Sequence, residues 1–325
     1  MSDLTSDVFF VSTHACTKNR DCMTTQTLAL QALNDEHAIG DLLEFVAHPK
    51  GLLVGKVHTD HCHAMFYLQG AQVAEFHPRH AIRPVLFTSS QATVAAGRAL
   101  RGGMPICFPW FGSQPNAPEQ PAHGWARTQS WTVRQTEVYS GDVEVVLGLD
   151  VFPFAIEQRF VFGKELTASF SAKNVSDATQ SFEIALHTYF SIGSIRSVIV
   201  EGDLSALPYL DQLTSVIHPA TQRPIRFTEE TDRIYQGEAR EIRIQDMSWN
   251  RTIHVRSENS RSTVVWNPWI AKSQRMADFG DDEYLRMCCI ETANVREHAL
   301  QLIAGQTHTT RVVIGVEQGG VEPTR

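Results

Sequence analysis

Residues 184–193 read Ile-Ala-Leu-His-Thr-Tyr-Phe-Ser-Ile-Gly, and the segment before them has the pattern of a β-strand. Glu165–Asn174 alternates with period two: Leu166, Ala168, Phe170 and Ala172 fall on one face, Thr167, Ser169, Ser171 and Lys173 on the other. Val175, Ser176, Asp177 and Ala178 supply turn chemistry, so a hairpin is expected whose second strand starts at Thr179. On that strand Phe182, Ile184 and Leu186 share one face, and Glu183, Ala185, His187 and Tyr189 share the opposite one. A histidine on the more polar face of an anchored strand is held rigidly yet stays within reach of a ligand. That placement suits a general acid or base. A lone histidine is more often a half-buried one hydrogen-bonded inside a sheet, and the residues alone leave both readings open.

Working outward, short apolar runs recur along the rest of the chain, from Leu42–Ala47 through Trp131–Val138 and Val143–Leu149 to Arg311–Val316. Turn residues separate most of them, at the spacing of a many-stranded antiparallel protein. Helical periodicity is scarce; Gln91–Leu100 and Ile270–Phe279 have room for short turns. Residues 1–25 are polar and unpatterned, contain Cys16 and Cys22, and read as a loosely ordered N-terminal arm. No repeat or linker divides 26–325, so a single all-β sandwich domain is expected there.

The 325 residues carry 42% hydrophobic and 20% charged side chains, a globular composition, and a formal net charge of −8. That charge disfavours broad binding to nucleic acid or acidic membrane. An anionic substrate would have to be recognised by a local group of arginines. No apolar run approaches the ~20 residues of a membrane span, and Val8–Val11 is too short for a signal-peptide core. Six cysteines form no secreted disulfide framework, so a reduced, cytoplasmic protein is expected.

Arg101–Gly112, RGGMPICFPWFG, is too rich in Gly, Pro and aromatic residues to read as a strand. Two glycines after Arg101 permit a sharp turn or a close approach to a ligand. Trp110 and Phe111 offer flat apolar surface of the kind that suits sugar C–H faces. Arg98, Arg101 and Arg127 flank this loop, and arginine grips phosphate through a planar fork. His58, Asp60, His61 and His63 invite a metal reading; His61 and His63 would share a strand face, but no third ligand of fixed geometry is evident. Nucleotide-binding, zinc-protease and serine-hydrolase signatures are absent.

Taken together, RGGMPICFPWFG (101–112), HGWAR (123–127), LHTYF (186–190), FTEETDRIY (227–235), VVWNPWIAKSQRMADF (264–279) and CIETANV (289–295) resemble the aldose 1-epimerase superfamily. The resemblance is nearest to its hexose-6-phosphate mutarotase branch, and it spans most of residues 65–315. It implies a galactose-mutarotase-like supersandwich of antiparallel strands with a sugar-binding cleft across one sheet. It further implies His187 as general acid, Glu291 as general base, Asp232 on the sugar hydroxyls, and Arg101 and Arg127 on the phosphate. His123 falls at a second active-site histidine position. Ala122 stands where some relatives carry a polar substrate-binding residue, and Thr292 where others have proline. Trp266, Trp269 and Asp278 read as scaffold around the cleft.

The reaction so implied opens and recloses a sugar ring by paired proton transfers. The glutamate would be kept ionised, and the histidine would be raised by nearby acids such as Glu183. No metal and no cofactor is implied. The partner is a small-molecule sugar phosphate, with neither nucleic acid nor membrane, and a monomer is expected. Three alternatives remain: a non-catalytic sugar-phosphate-binding sandwich, an epimerase for unphosphorylated aldoses, and a glycosidase using Asp232 and Glu291 as paired carboxylates.

Overall fold

The computed structural model describes residues 19–114 and 116–319. Its core is enclosed by two eight-stranded antiparallel sheets. One sheet runs in the order Val198–Gly202, Glu241–Asp246, Arg251–Glu258, Thr307–Gln318, Leu166–Asn174, Phe154–Phe162, Asp142–Val151 and Thr132–Tyr139. The other orders Val216–His218, Tyr209–Asp211, Thr231–Gln236, Ser262–Asn267, Met287–Asn294, Ile184–Leu186 and Ile106–Cys107. Tyr189–Ser191 also pairs with Met287–Asn294. A four-stranded sheet (Leu43–Ala47, Leu53–His58, Cys62–Tyr67, Gln72–Pro78) packs on the first large sheet through Phe66, which meets Phe160 and Phe162. The expected antiparallel sandwich is the architecture found.

Burial explains why these segments become strands. Phe154–Phe162 and Leu166–Asn174 alternate buried and half-buried along almost their whole length, so period two sets one face against the core. The layers meet through aromatic rings. Phe108, just after the strand Ile106–Cys107, and Phe182, in a two-stranded sheet with Leu300–Leu302, pack on Phe154 and Phe170 of the first large sheet, with centroids 5.1–5.5 Å apart. Phe66 of the four-stranded sheet stacks on Phe162 at 5.8 Å. Burying each such ring fully contributes roughly 1.5–3 kcal/mol.

Three expectations are corrected. The hairpin at 165–186 is not one: Leu166–Asn174 pairs with Phe154–Phe162 and Thr307–Gln318, whereas Ile184–Leu186 pairs with Met287–Asn294 and Ile106–Cys107 in the other sheet. The turn is a corner between sheets, and buried Asn174 makes it. Its Oδ1 accepts Ser176 N–H at 2.9 Å while its Nδ2 donates to Ala178 O and Leu302 O, so the chain is turned away from its neighbour. The Gly/Pro-rich loop does contain a strand, Ile106–Cys107, paired with Leu186 and Ala185.

The third correction is a helix, Asn19–His37, where the pattern suggested none. Among its described side chains Leu30 and Leu33 pack on the core while Leu28 is exposed. Asn34 anchors it by exchanging hydrogen bonds with the Phe45 backbone, both 2.8 Å. Of the arm expected at 1–25, residues 1–18 lie outside the described residues and the remainder begins this helix. The short turns expected at Ile270–Phe279 appear as the short helix Trp269–Ser273; Gln91–Leu100 forms turns but no helix, with the Ala92 N–H donating to Ser89 O at 3.1 Å and the Arg98 N–H to Ala95 O at 3.2 Å. Among the described residues no helix is long and apolar enough to cross a membrane.

Candidate active site

His187 and Glu291 face each other because of strand register. Leu186 pairs with Thr292 and Tyr189 with Cys289, so the break at His187 and Thr188 leaves His187 directly across from Glu291. In that break the His187 N–H turns to the other side and donates to Pro105 O at 2.9 Å. The imidazole Nε2 then lies 3.3 Å from Glu291 Oε1. Both side chains are buried, and His187 Nδ1 and Glu291 Oε2 have no hydrogen-bond partner. Tyr189, two residues on and therefore on the same face, stacks parallel on the imidazole at 4.8 Å and 9°. Trp266 closes a third side edge-on at 6.0 Å.

His187, Glu291 and Trp266 line a cleft of about 320 Å3 whose wall also includes Arg101, Phe111, His123, Asp232 and Lys272. The structure therefore brings all the expected site residues except Arg127 onto one cleft. Asp232 accepts from Gln212 Nε2 at 2.5 Å and lies 3.7 Å from Lys272 Nζ. Arg101 donates to the Tyr189 hydroxyl at 3.1 Å and to both carboxylate oxygens of Asp278 at 3.3 Å. His123 takes its place against Phe111, with centroids 4.9 Å apart, and 5.9 Å from His187. Arg127 lines a neighbouring cavity with Arg98 and Asp278; its Nη2 donates to Ala122 O at 2.6 Å, while its buried Nε has no partner. Phe111 reaches the cleft, but Trp110 does not and donates to Pro121 O.

Charge regulation runs opposite to the sequence-based expectation. Burial pushes the His187 imidazole well below its ordinary range, helped by His123, Arg127 and Arg101. Burial also pushes the Glu291 carboxyl well up, and Asp232 adds to it. The two proton affinities, normally about two units apart, are thus driven toward each other. Glu183 plays no part in this. Its carboxylate turns away to accept the N–H groups of Phe111 at 2.8 Å and Arg296 at 2.6 Å. His123 is held down at about 3, first by burial and then by Arg127 and Arg101. Asp232 is raised by burial, against the pull of Gln212 and Lys272.

The glycines after Arg101 are pressed against neighbouring backbone. A Cβ on Gly102 would sit 2.4 Å from Thr88 Cα, and one on Gly103 2.1 Å from Val73 O. The histidine cluster also resolves differently from its expected form. His63 pairs with His58 across strands, with Nδ1 atoms 2.8 Å apart, while His61 turns to Asp142 at 2.6 Å. Among the described residues no group of three or more His, Cys, Asp or Glu is placed to hold a metal ion. Lys272 and Gln212 were missed as cleft residues. Lys272 lies inside 264–279 among tryptophans that mark the segment more strongly, and Gln212 belongs to no motif.

The sequence pattern of the aldose 1-epimerase family matches residues 56–315. A Cenchrus ciliaris protein named "Putative glucose-6-phosphate 1-epimerase" is 33% identical over 291 residues, covering 83% of this chain and 87% of that one. A Haemophilus influenzae protein of the same name is 33% identical over 239 residues, covering 73% and 82%. The crystal structure of "a putative mutarotase (YeaD)" from Salmonella typhimurium superposes with a TM-score of 0.80 at 28% identity, over 87% of this chain and 96% of that one. The sandwich is the galactose-mutarotase-like supersandwich. This chain belongs to the aldose 1-epimerase family, whose chemistry is the interconversion of sugar anomers.

Proposed function

We propose that the substrate is a hexose 6-phosphate, glucose 6-phosphate in the first place, and that His187 and Glu291 carry the proton transfers. The observation behind this reading is the buried pair itself: 3.3 Å apart, each with an unpartnered polar atom, on a cleft large enough for a pyranose ring. Buried polar atoms are nearly always satisfied, so two orphans side by side are the mark of a site completed by its ligand.

The pair holds one proton between its members. Burial favours that proton on Glu291, and for ring opening it passes across the 3.3 Å contact to His187; Glu291 then removes the proton of the anomeric hydroxyl while His187 delivers its own to the ring oxygen. The C1–O5 bond breaks as the C1=O1 carbonyl forms. Rotation about C1–C2 presents the other carbonyl face, and closure returns both protons. Each group therefore acts as acid in one direction and base in the other, and proton affinities driven together by burial make both directions accessible. Such groups typically contribute ~10²–10⁴-fold each. Asp232, with Gln212, receives sugar hydroxyls, and neutral His123 is a further hydrogen-bonding group on the same wall. Arg101 and Arg127 read the phosphate. The names of the relatives at 33% identity support that substrate, as does the partnerless Arg127 Nε at the neighbouring cavity.

Anomer-exchange rates on glucose 6-phosphate, glucose and galactose test this. The reading requires clear preference for the phosphorylated sugar; preference for either free aldose would contradict it. Release of reducing ends from oligosaccharides would favour the glycosidase alternative.

A further inference from the structure

Glu183 and Arg296 meet at the rim of the cleft in an arrangement the acid/base chemistry does not use. Arg296 is a non-glycine residue in the left-handed region, with φ +58. Such a conformation is strained and persists only where its surroundings enforce it. The enforcing group is Glu183, whose carboxylate accepts the Arg296 backbone N–H at 2.6 Å and the Phe111 N–H at 2.8 Å. Held in this way, the exposed guanidinium reaches across the rim. Nη1 donates to Phe111 O at 3.2 Å and Nη2 to Gln212 Oε1 at 3.3 Å, with the group 5.6 Å over the Phe111 ring. Gly112 makes room, since a Cβ there would come within 3.1 Å of Nη2. Gln212 passes the connection on, donating through Nε2 to Asp232. Donors and acceptors align in one direction, from Arg296 to Gln212 to Asp232, so each bond polarises the next.

We propose that Arg296, clamped by Glu183, is a positioning residue for the sugar: it fixes the Phe111 wall and the Asp232 carboxylate relative to each other and so sets the cleft where the ring lies. It touches neither reacting atom and belongs to neither arginine assigned to phosphate. The inference rests on the cleft being the sugar site but not on the sugar being phosphorylated.

The test measures kcat and KM on glucose 6-phosphate and on glucose, with Tm, for the parent, Arg296→Ala, Arg296→Gly and Arg296→Lys. Losing the strap costs hydrogen bonds of ~1 kcal/mol each, so KM rises roughly 5- to 10-fold in the Ala and Gly variants while kcat stays within about 2-fold. The rise is the same factor on both sugars. Lys, able to reach one acceptor, recovers part of it. Glycine accepts the left-handed backbone and alanine does not, so Arg296→Gly has the higher Tm of the two with the same KM defect. A KM that follows Tm through the series, a fall in kcat at constant KM, or a loss confined to the phosphorylated sugar would each overturn the proposal. A parent that works on free glucose and not on the phosphate would sink the substrate reading alone, and the Arg296 comparison would then be read on glucose. A parent inactive on both would sink both.

Discussion

His187 and Glu291 are cross-strand neighbours: the register Leu186 to Thr292 and Tyr189 to Cys289 sets one opposite the other, with Nε2 and Oε1 3.3 Å apart. The pair is therefore fixed by backbone pairing and not by a flexible loop. Its surroundings, Tyr189 stacked on one side and Trp266 edge-on, hold the imidazole in one orientation. A site built on rigid elements keeps its geometry through a reaction that must run equally well in both directions.

The pH dependence of kcat/KM follows from the direction of the shifts. The working state carries one proton on the pair. Falling pH adds a second to His187, whose affinity lies below its ordinary 6.5, so the acid limb lies below pH 6.5. Rising pH removes the proton from Glu291, which is raised above its ordinary 4.5, so the alkaline limb lies above the usual carboxylate range. A kcat/KM profile on an uncharged aldose, free of substrate titration, measures both limbs. An acid limb at or above 6.5 would mean that nearby acids, not burial, control the imidazole.

Gly103 is predicted to be intolerant of any side chain. It has φ +62, and its Cβ position falls 2.1 Å from Val73 O, a backbone atom that cannot yield. Gly103→Ala should cost at least ~2–3 kcal/mol, in the range of overpacking plus backbone strain. Urea unfolding of parent and variant measures the difference. A loss under about 1 kcal/mol would show that the loop holding Arg101 shifts easily.

Sequence made the sandwich and most of the cleft legible for identifiable reasons. Phe154–Phe162 and Leu166–Asn174 bury one face, so their residues alternate visibly. Met287–Asn294 is buried along its entire length, and nothing in its periodicity marks Glu291; resemblance to a family found that residue. The corner at Asn174 looks like a hairpin turn, because the side-chain bonds that redirect the chain reach Leu302, far along the sequence. Glu183 shares its strand face with His187 in the pattern, yet a distant backbone N–H, that of Arg296, captures it. The His187 shift could not be read either, because its main cause is burial, reinforced by His123, Arg127 and Arg101, and burial is settled only by packing.

The arginines separate a sugar-phosphate enzyme from a plain aldose epimerase. A hydrogen bond to a charged group is worth about 1.5–3 kcal/mol, so Arg101→Ala or Arg127→Ala should weaken kcat/KM on glucose 6-phosphate by roughly 10- to 100-fold. Glucose should change little, and lysine should restore only part of the loss, lacking the planar two-point contact. Arg101 already binds Asp278 and Tyr189, so equal losses on both sugars would assign it to holding the cleft wall.

Exhaustive chelation should leave turnover unchanged, because the proton transfers assigned to His187 and Glu291 call for no metal. The assay is anomer exchange before and after chelator treatment. Loss of activity restored by one divalent metal would require a different chemistry.

The most direct test is anomer-exchange NMR on glucose 6-phosphate with the parent, His187→Ala and Glu291→Gln, each shown to be folded by its thermal transition. The account predicts exchange by the parent and a drop of roughly 10²–10⁴-fold in each variant, the range for losing one general acid/base group. Near-parental exchange by either folded variant would contradict it.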